Sequence, residues 1–124
     1  MTRGIVRDFT LVLGAAGSDT QIATASGAVA LHEARELERG VVDGISRGRT
    51  RVVLDLTGVT EVGPGLLGVL LRVRRGVTRV DGALALVVSG PPVSELVATT
   101  LLAKLIQVAG DVEQALALVG GQRQ

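Results

Sequence analysis

His32 is the only histidine of the chain, and there is no cysteine. A Ser-His-Asp triad or a histidine metal site would rest on that single imidazole, with no second nitrogen or sulfur ligand to join it. Glu33 and Glu36 stand beside His32 at helical spacing, which reads as a solvated helix face. Asp55, Glu61 and Asp81 are too scattered to be paired as acid and base from sequence alone. The missing cysteine also removes disulfide frameworks and cysteine nucleophiles. No catalytic residue, metal or cofactor is expected.

Two segments remain. Gly63-Pro64-Gly65-Leu66-Leu67-Gly68 matches G-x-G-x-x-G, the spacing at which glycines bring a pyrophosphate up to a helix N-terminus. Pro64 removes an N–H donor that such a turn needs, and the preceding strand is expected to end near Leu56, well before the first glycine. Asp81 lies near the spacing of a ribose-binding acid, but 124 residues are few for the two halves of a dinucleotide fold. Arg72, Arg74, Arg75 and Arg79 form the one local excess of charge, with Arg72, Arg75 and Arg79 on one helical face. That face suits an anion, an acidic partner or plain solvent. A small nucleotide- or anion-binding protein using Gly63, Gly65, Gly68 and Arg72 is therefore the alternative function.

The elements that would position these residues follow from composition and periodicity. A chain of 124 residues, 47% apolar and 20% charged, supports one self-sufficient core. Thirteen basic against twelve acidic residues, with 1% aromatics, argue against nucleic acid. No uncharged apolar run reaches the ~18 residues of a membrane span, so a soluble, cytoplasmic domain is expected. Arg3 and Arg7 ahead of Phe9 to Leu13, with Ala23-Thr24-Ala25 beyond, copy the outline of a secretory signal, which Asp8 and Asp19 interrupt.

Thr10 to Leu13 and Gln21 to Ser26 read as paired strands. Leu31 to about Arg47 reads as a helix turning Leu31, Ala34, Leu37, Val41 and Ile45 inward, ended by Gly48. Arg49 to Leu56 is a buried strand and Thr57 to Pro64 a loop. A second helix, Gly65 to Val77, buries Leu66, Leu70, Val73 and Val77, with Leu67 and Leu71 widening the stripe. A strand from Ala83 to Val88 leads to Pro91-Pro92, the start of a third helix burying Val93, Leu96, Val97 and Leu101. Ile106 to Val108 is a brief last strand, Asp111 caps a final helix, and the tail from Gly120 is frayed. Strands alternating with helices give an α/β fold with parallel pairing.

Arg51 to Arg75, RVVLDLTGVTEVGPGLLGVLLRVRR, resembles the central segment of STAS domains, the sulfate transporter and anti-sigma factor antagonist family. Its pattern there is V-V-V-D-L-S, G-V-T-F-I, D-S-[ST]-G and L-G-V-L-L. Weaker likeness extends to Ser26–Ala30 and to the segment Thr100 to Leu116. The resemblance implies a single STAS-like domain over residues 1–124, a mixed sheet of four to five strands with four helices, and a non-enzymatic role in transcription regulation. The implied partner is a kinase-type anti-sigma factor or another STAS protein, with a homodimer also open. In the family the second hydroxyl of D-S-[ST]-G is the phosphorylation target. Here Gly63, Pro64, Gly65 and Leu66 occupy those four positions, so the loop holds no acceptor; Thr57 and Thr60 are the nearest hydroxyls. The implied docking surface comprises Gly63, Pro64, Gly65, Leu66, Leu67, Arg72 and Arg75, an unswitchable face stiffened by proline.

Overall fold

The computed structural model describes residues 8–120. Five strands form one mixed sheet in the order β1-β2-β3-β4-β5: β1 (Phe9–Ala15), β2 (Thr20–Val29), β3 (Arg51–Val62), β4 (Ala83–Val87) and β5 (Gln107–Ala109). β1 runs antiparallel to β2, and the remaining neighbours pair in parallel. The connections are α1 (Leu31–Ser46), α2 (Leu66–Arg79), and α3 (Val93–Thr99) with α4 (Leu102–Leu105); α5 (Val112–Gly120) ends the fold. Arg3, Arg7 and the tail beyond Gly120 lie outside the described residues.

The apolar spacing of the sequence accounts for the layers. On one face, Ala34, Leu37 and Val41 of α1 and Leu66, Val69, Leu70, Val73 and Val77 of α2 pack on Ala23, Ala25, Val52, Leu54 and Leu56 of the sheet. Alanines at the β2 positions leave room for the helices to settle against the strands. On the other face α5 covers β3, β4 and β5, closing a smaller core of Val53, Ala85, Val87, Ala109, Ala115 and Val119. Strands β3 and β4 are thus apolar on both sides, as their continuous runs imply.

Local signals end the helices. Gly48 at φ +95° follows α1, donating to the Ile45 carbonyl at 2.9 Å. Asp111 accepts from the Gln114 N–H at 2.7 Å, and the Gln114 side chain accepts from the Gly110 N–H at 2.8 Å, a reciprocal cap on α5.

Three expectations need correction. Thr57 to Val62 is strand rather than loop: β3 continues beside β2 to the pair Val29 and Val62, with register shifts near Thr24 and Gly27 absorbing the irregularity. Gly58, within that span, sits against Ser26, where a Cβ would come within 2.7 Å of the serine Cβ. The third helix stops at Thr99, because the Thr99 and Thr100 hydroxyls bond back to the carbonyls of Glu95 and Leu96 and Thr100 is extended. Leu101 is consequently 65% exposed, and α4 makes a fifth helix. Leu31 and Leu71, read as buried, are exposed.

Candidate docking site

β3 ends at Val62 and α2 begins at Leu66, so Gly63-Pro64-Gly65 is the whole connection. The Gly63 N–H donates to the Val29 carbonyl at 2.8 Å, tying the loop to the end of β2. Gly63 also lies so close to Ala30 that a Cβ would stand 3.2 Å from its Cα. Pro64 is exposed at the tip. Gly65 occupies the N-cap at φ +103° and ψ −28°, and no side chain caps the helix. That left-handed backbone favours glycine, and a Cβ would meet Leu31 Cδ1 at 2.6 Å. Any side chain at this position, hydroxyl-bearing or not, would therefore strain the backbone and press on Leu31.

Of the residues assigned to the docking face, Gly63, Pro64, Gly65 and the half-buried Leu67 do lie together at the head of α2. Leu66 does not face outward: it is 0% exposed and props the loop from the core side. Arg75 is exposed on α2. Arg72 is engaged elsewhere, its Nε and Nη2 donating to the two carboxylate oxygens of Glu38 on α1 at 2.8 and 3.0 Å. This fork holds the Glu38 carboxyl below its ordinary value of 4.5 and raises the Arg72 guanidinium further. Sequence reading missed the pair because its members are 34 residues apart; one acid among the several on α1 carries no mark of its partner.

The nucleotide reading fits poorly with this geometry. The strand does reach the first glycine, but the Gly63 N–H is already used and Pro64 has none. The cavity beside Gly63, lined by Val29, Ala30, Glu61, Val62 and Gly63, holds about 80 Å³, well below the roughly 300 Å³ of a small ligand pocket. Asp81 follows α2, whose 14 residues span about 21 Å, so the presumed ribose acid stands at the far end of the helix. Gly68 lies within α2 beside the Arg72 guanidinium.

The other candidates are surface features. His32 Nε2 meets Glu36 Oε2 at 3.2 Å on the outside of α1. Thr57 and Thr60 are exposed on β3 rather than in the loop, and the Thr57 hydroxyl donates to Asp55 Oδ1 at 2.8 Å. Among the described residues no group of His, Asp or Glu could hold a metal, and no helix is long and apolar enough to cross a membrane.

Beside the loop lies a groove that sequence reading did not find. Leu67 and Leu71 of α2 face Thr100, Leu101, Leu102 and Leu105 across about 230 Å³. The break after Thr99 creates it. A Thr-Thr pair inside an apolar helical pattern was the one available signal.

Comparison with known proteins agrees with this architecture. A family model described as "Mlab, STAS domain" matches residues 13–118. Among solved structures, an anti-sigma factor antagonist from Mycobacterium paratuberculosis superposes with a TM-score of 0.80 at 20% identity, covering 90% of this chain and 94% of that one. The Bacillus cell fate determinant SpoIIAA in its phosphorylated form gives 0.72 at 16% identity, covering 89% and 99%. A putative anti-sigma factor antagonist from Thermotoga maritima gives 0.70 at 18%, covering 91% and 93%. No curated protein matches the sequence.

Proposed function

Because this chain belongs to the STAS domain family, we propose that it is a non-enzymatic docking module of the anti-sigma factor antagonist kind, binding a kinase-type anti-sigma factor or another STAS protein. The docking face consists of Gly63, Pro64, Gly65 and Leu67 with the exposed side of α2 around Arg75. Leu66 supports this face from within, and Arg72 fixes α2 against α1.

The observation that carries the reading is the glycine-capped, hydroxyl-free start of α2. Gly63-Pro64-Gly65 is held to β2 by the Gly63 N–H and presents Pro64 outward, with no side chain on the helix N-terminus. Phosphorylation at such a place would add about −1.5 to −2 charge at the positive end of a helix and switch the face. Here the face lacks the acceptor, so the module stays constitutively in its docking-competent form. Pro64, with φ fixed by its ring, limits the ordering cost of binding.

The test is affinity capture with the tagged full chain, identifying partners by mass spectrometry, beside the variant Pro64→Glu. This exposed substitution places negative charge at the helix N-terminus, where it is compatible with the fold. The wild type is expected to retain a kinase-type anti-sigma factor or a STAS protein, and Pro64→Glu to lose it. Equal capture of the same protein by both would remove the loop from the interface; recovery of neither class would defeat the reading.

A further inference from the structure

The groove between α2 and the Thr100–Leu105 segment is more apolar than a solvent-facing cleft needs to be. Leu102 is 1% exposed and floors it, while Leu71, Leu101 and Leu105 are 37%, 65% and 40% exposed along its walls. Single exposed leucines mean little, but contiguous ones mark an interaction surface. At about 230 Å³ the groove is below the roughly 300 Å³ of a small-molecule site and suits a few protruding side chains.

Its surroundings are basic. Arg74 and Arg75 follow Leu71 on α2 at the spacing of one helical turn, α2 has no acidic residue, and Lys104 lies on α4 between Leu101 and Leu105, while Arg72 belongs to the opposite flank with Glu38. Arg74 Nε donates to the Leu105 carbonyl at 3.0 Å, which fixes one wall while leaving the guanidinium charge unbalanced by that neutral acceptor. Among the described residues the ion pairs join His32 to Glu36, Arg47 to Asp43, Arg51 to Asp19 and Arg72 to Glu38, so Arg75 and Lys104 stand outside them.

We infer that this groove receives an amphipathic helix of the partner protein, carrying leucine-like anchors at i, i+3 or i+4 and i+7 and carboxylates on its flanks. Anchors at that spacing follow a helix laid along a groove, and flanking acids complement Arg74, Arg75 and Lys104. The inference rests on the docking reading above and names what the partner inserts beside the Gly63–Leu67 loop.

The probe is a capped Leu/Glu amphipathic peptide of about 18 residues, long enough to form a helix, with a Leu/Lys counterpart. Each is titrated into the ¹⁵N-labelled full chain. The Leu/Glu peptide is expected to shift the amides of Leu67 to Arg75 and Thr100 to Leu105, and the Leu/Lys peptide to leave them unmoved. Leu101→Glu, an exposed position whose dispersed spectrum verifies folding, is expected to weaken binding at least about tenfold. A second variant, Lys104→Glu, is expected to weaken it less.

Absence of shifts with excess Leu/Glu peptide, shifts elsewhere, or equal binding of the Leu/Lys peptide would overturn the inference. So would the same shifts produced by phosphatidylglycerol vesicles, or by raising the protein concentration alone, which would give the groove to lipid or to a second copy. Capture of the anti-sigma factor by Leu101→Glu at the wild-type level, with loss by Pro64→Glu, would overturn the groove assignment alone and leave the docking reading standing.

Discussion

Helix α2 has two flanks that the molecule treats differently. Toward α1 it is closed: Val69, Leu70 and Val73 are buried and the Arg72–Glu38 fork spans the rim. Toward α3 and α4 it is open, with Leu67 and Leu71 facing an unfilled leucine groove. Both flanks are made of leucine, valine and arginine. The difference arises from the neighbour: a 16-residue helix on one side, and on the other a seven-residue helix that breaks at two threonines. One flank therefore holds the fold, and the other leaves Leu71, Leu101 and Leu105 exposed.

The largest effect that separates the flanks is a pair of leucine truncations. Leu70→Ala, at 0% exposure, is expected to cost about 2–5 kcal/mol, while Leu101→Ala is expected to stay within about 0.5 kcal/mol. Urea unfolding of both decides it, and equal losses would show that the groove leucines belong to the core. Next comes Gly65→Ser, which would place a hydroxyl at the cap. Its left-handed backbone sets an expected cost of about 1–2 kcal/mol, although the exposed Leu31 can yield; unchanged stability would show that the loop is free to rearrange.

Much of the fold was legible. Val52-Val53-Leu54 and Leu84 to Val87 announce strands buried on both sides, and the stripes Ala34-Leu37-Val41 and Leu70-Val73-Val77 announce α1 and α2. The second half of β3 was not legible, because Gly58 is a turn residue by composition and becomes a strand residue only opposite Ser26. The site was legible as a stretch of chain and not as a surface. Periodicity put Leu66 in the buried stripe, where it lies, while the family resemblance put the same residue on the docking surface, and its full burial decides for the stripe. The Glu38–Arg72 fork and the groove are both tertiary: one joins two helices, and the other exists because a third helix stops early.

The smallest expected effect belongs to the fork. Glu38→Gln is expected to cost about 0.2–1 kcal/mol near neutral pH, since both partners remain partly solvated. The Glu38 carboxyl is held below 4.5 in the fold. Its contribution is therefore fully present above that value and is lost as pH falls through the lower folded one. The stability gap between wild type and Glu38→Gln should be constant from pH 7 down to about 5 and shrink below 4.5. A gap that widens on acidification would contradict the pairing.

Hydrogen–deuterium exchange of the full chain, alone and bound to the captured protein, shows directly which flank of α2 meets a partner. Protection is predicted at Gly63 to Leu71 and at Thr100 to Leu105, with the outer face of α1 and helix α5 unchanged. Protection confined to α1, α5 or β1, with the loop and groove exchanging as in the free chain, would contradict it.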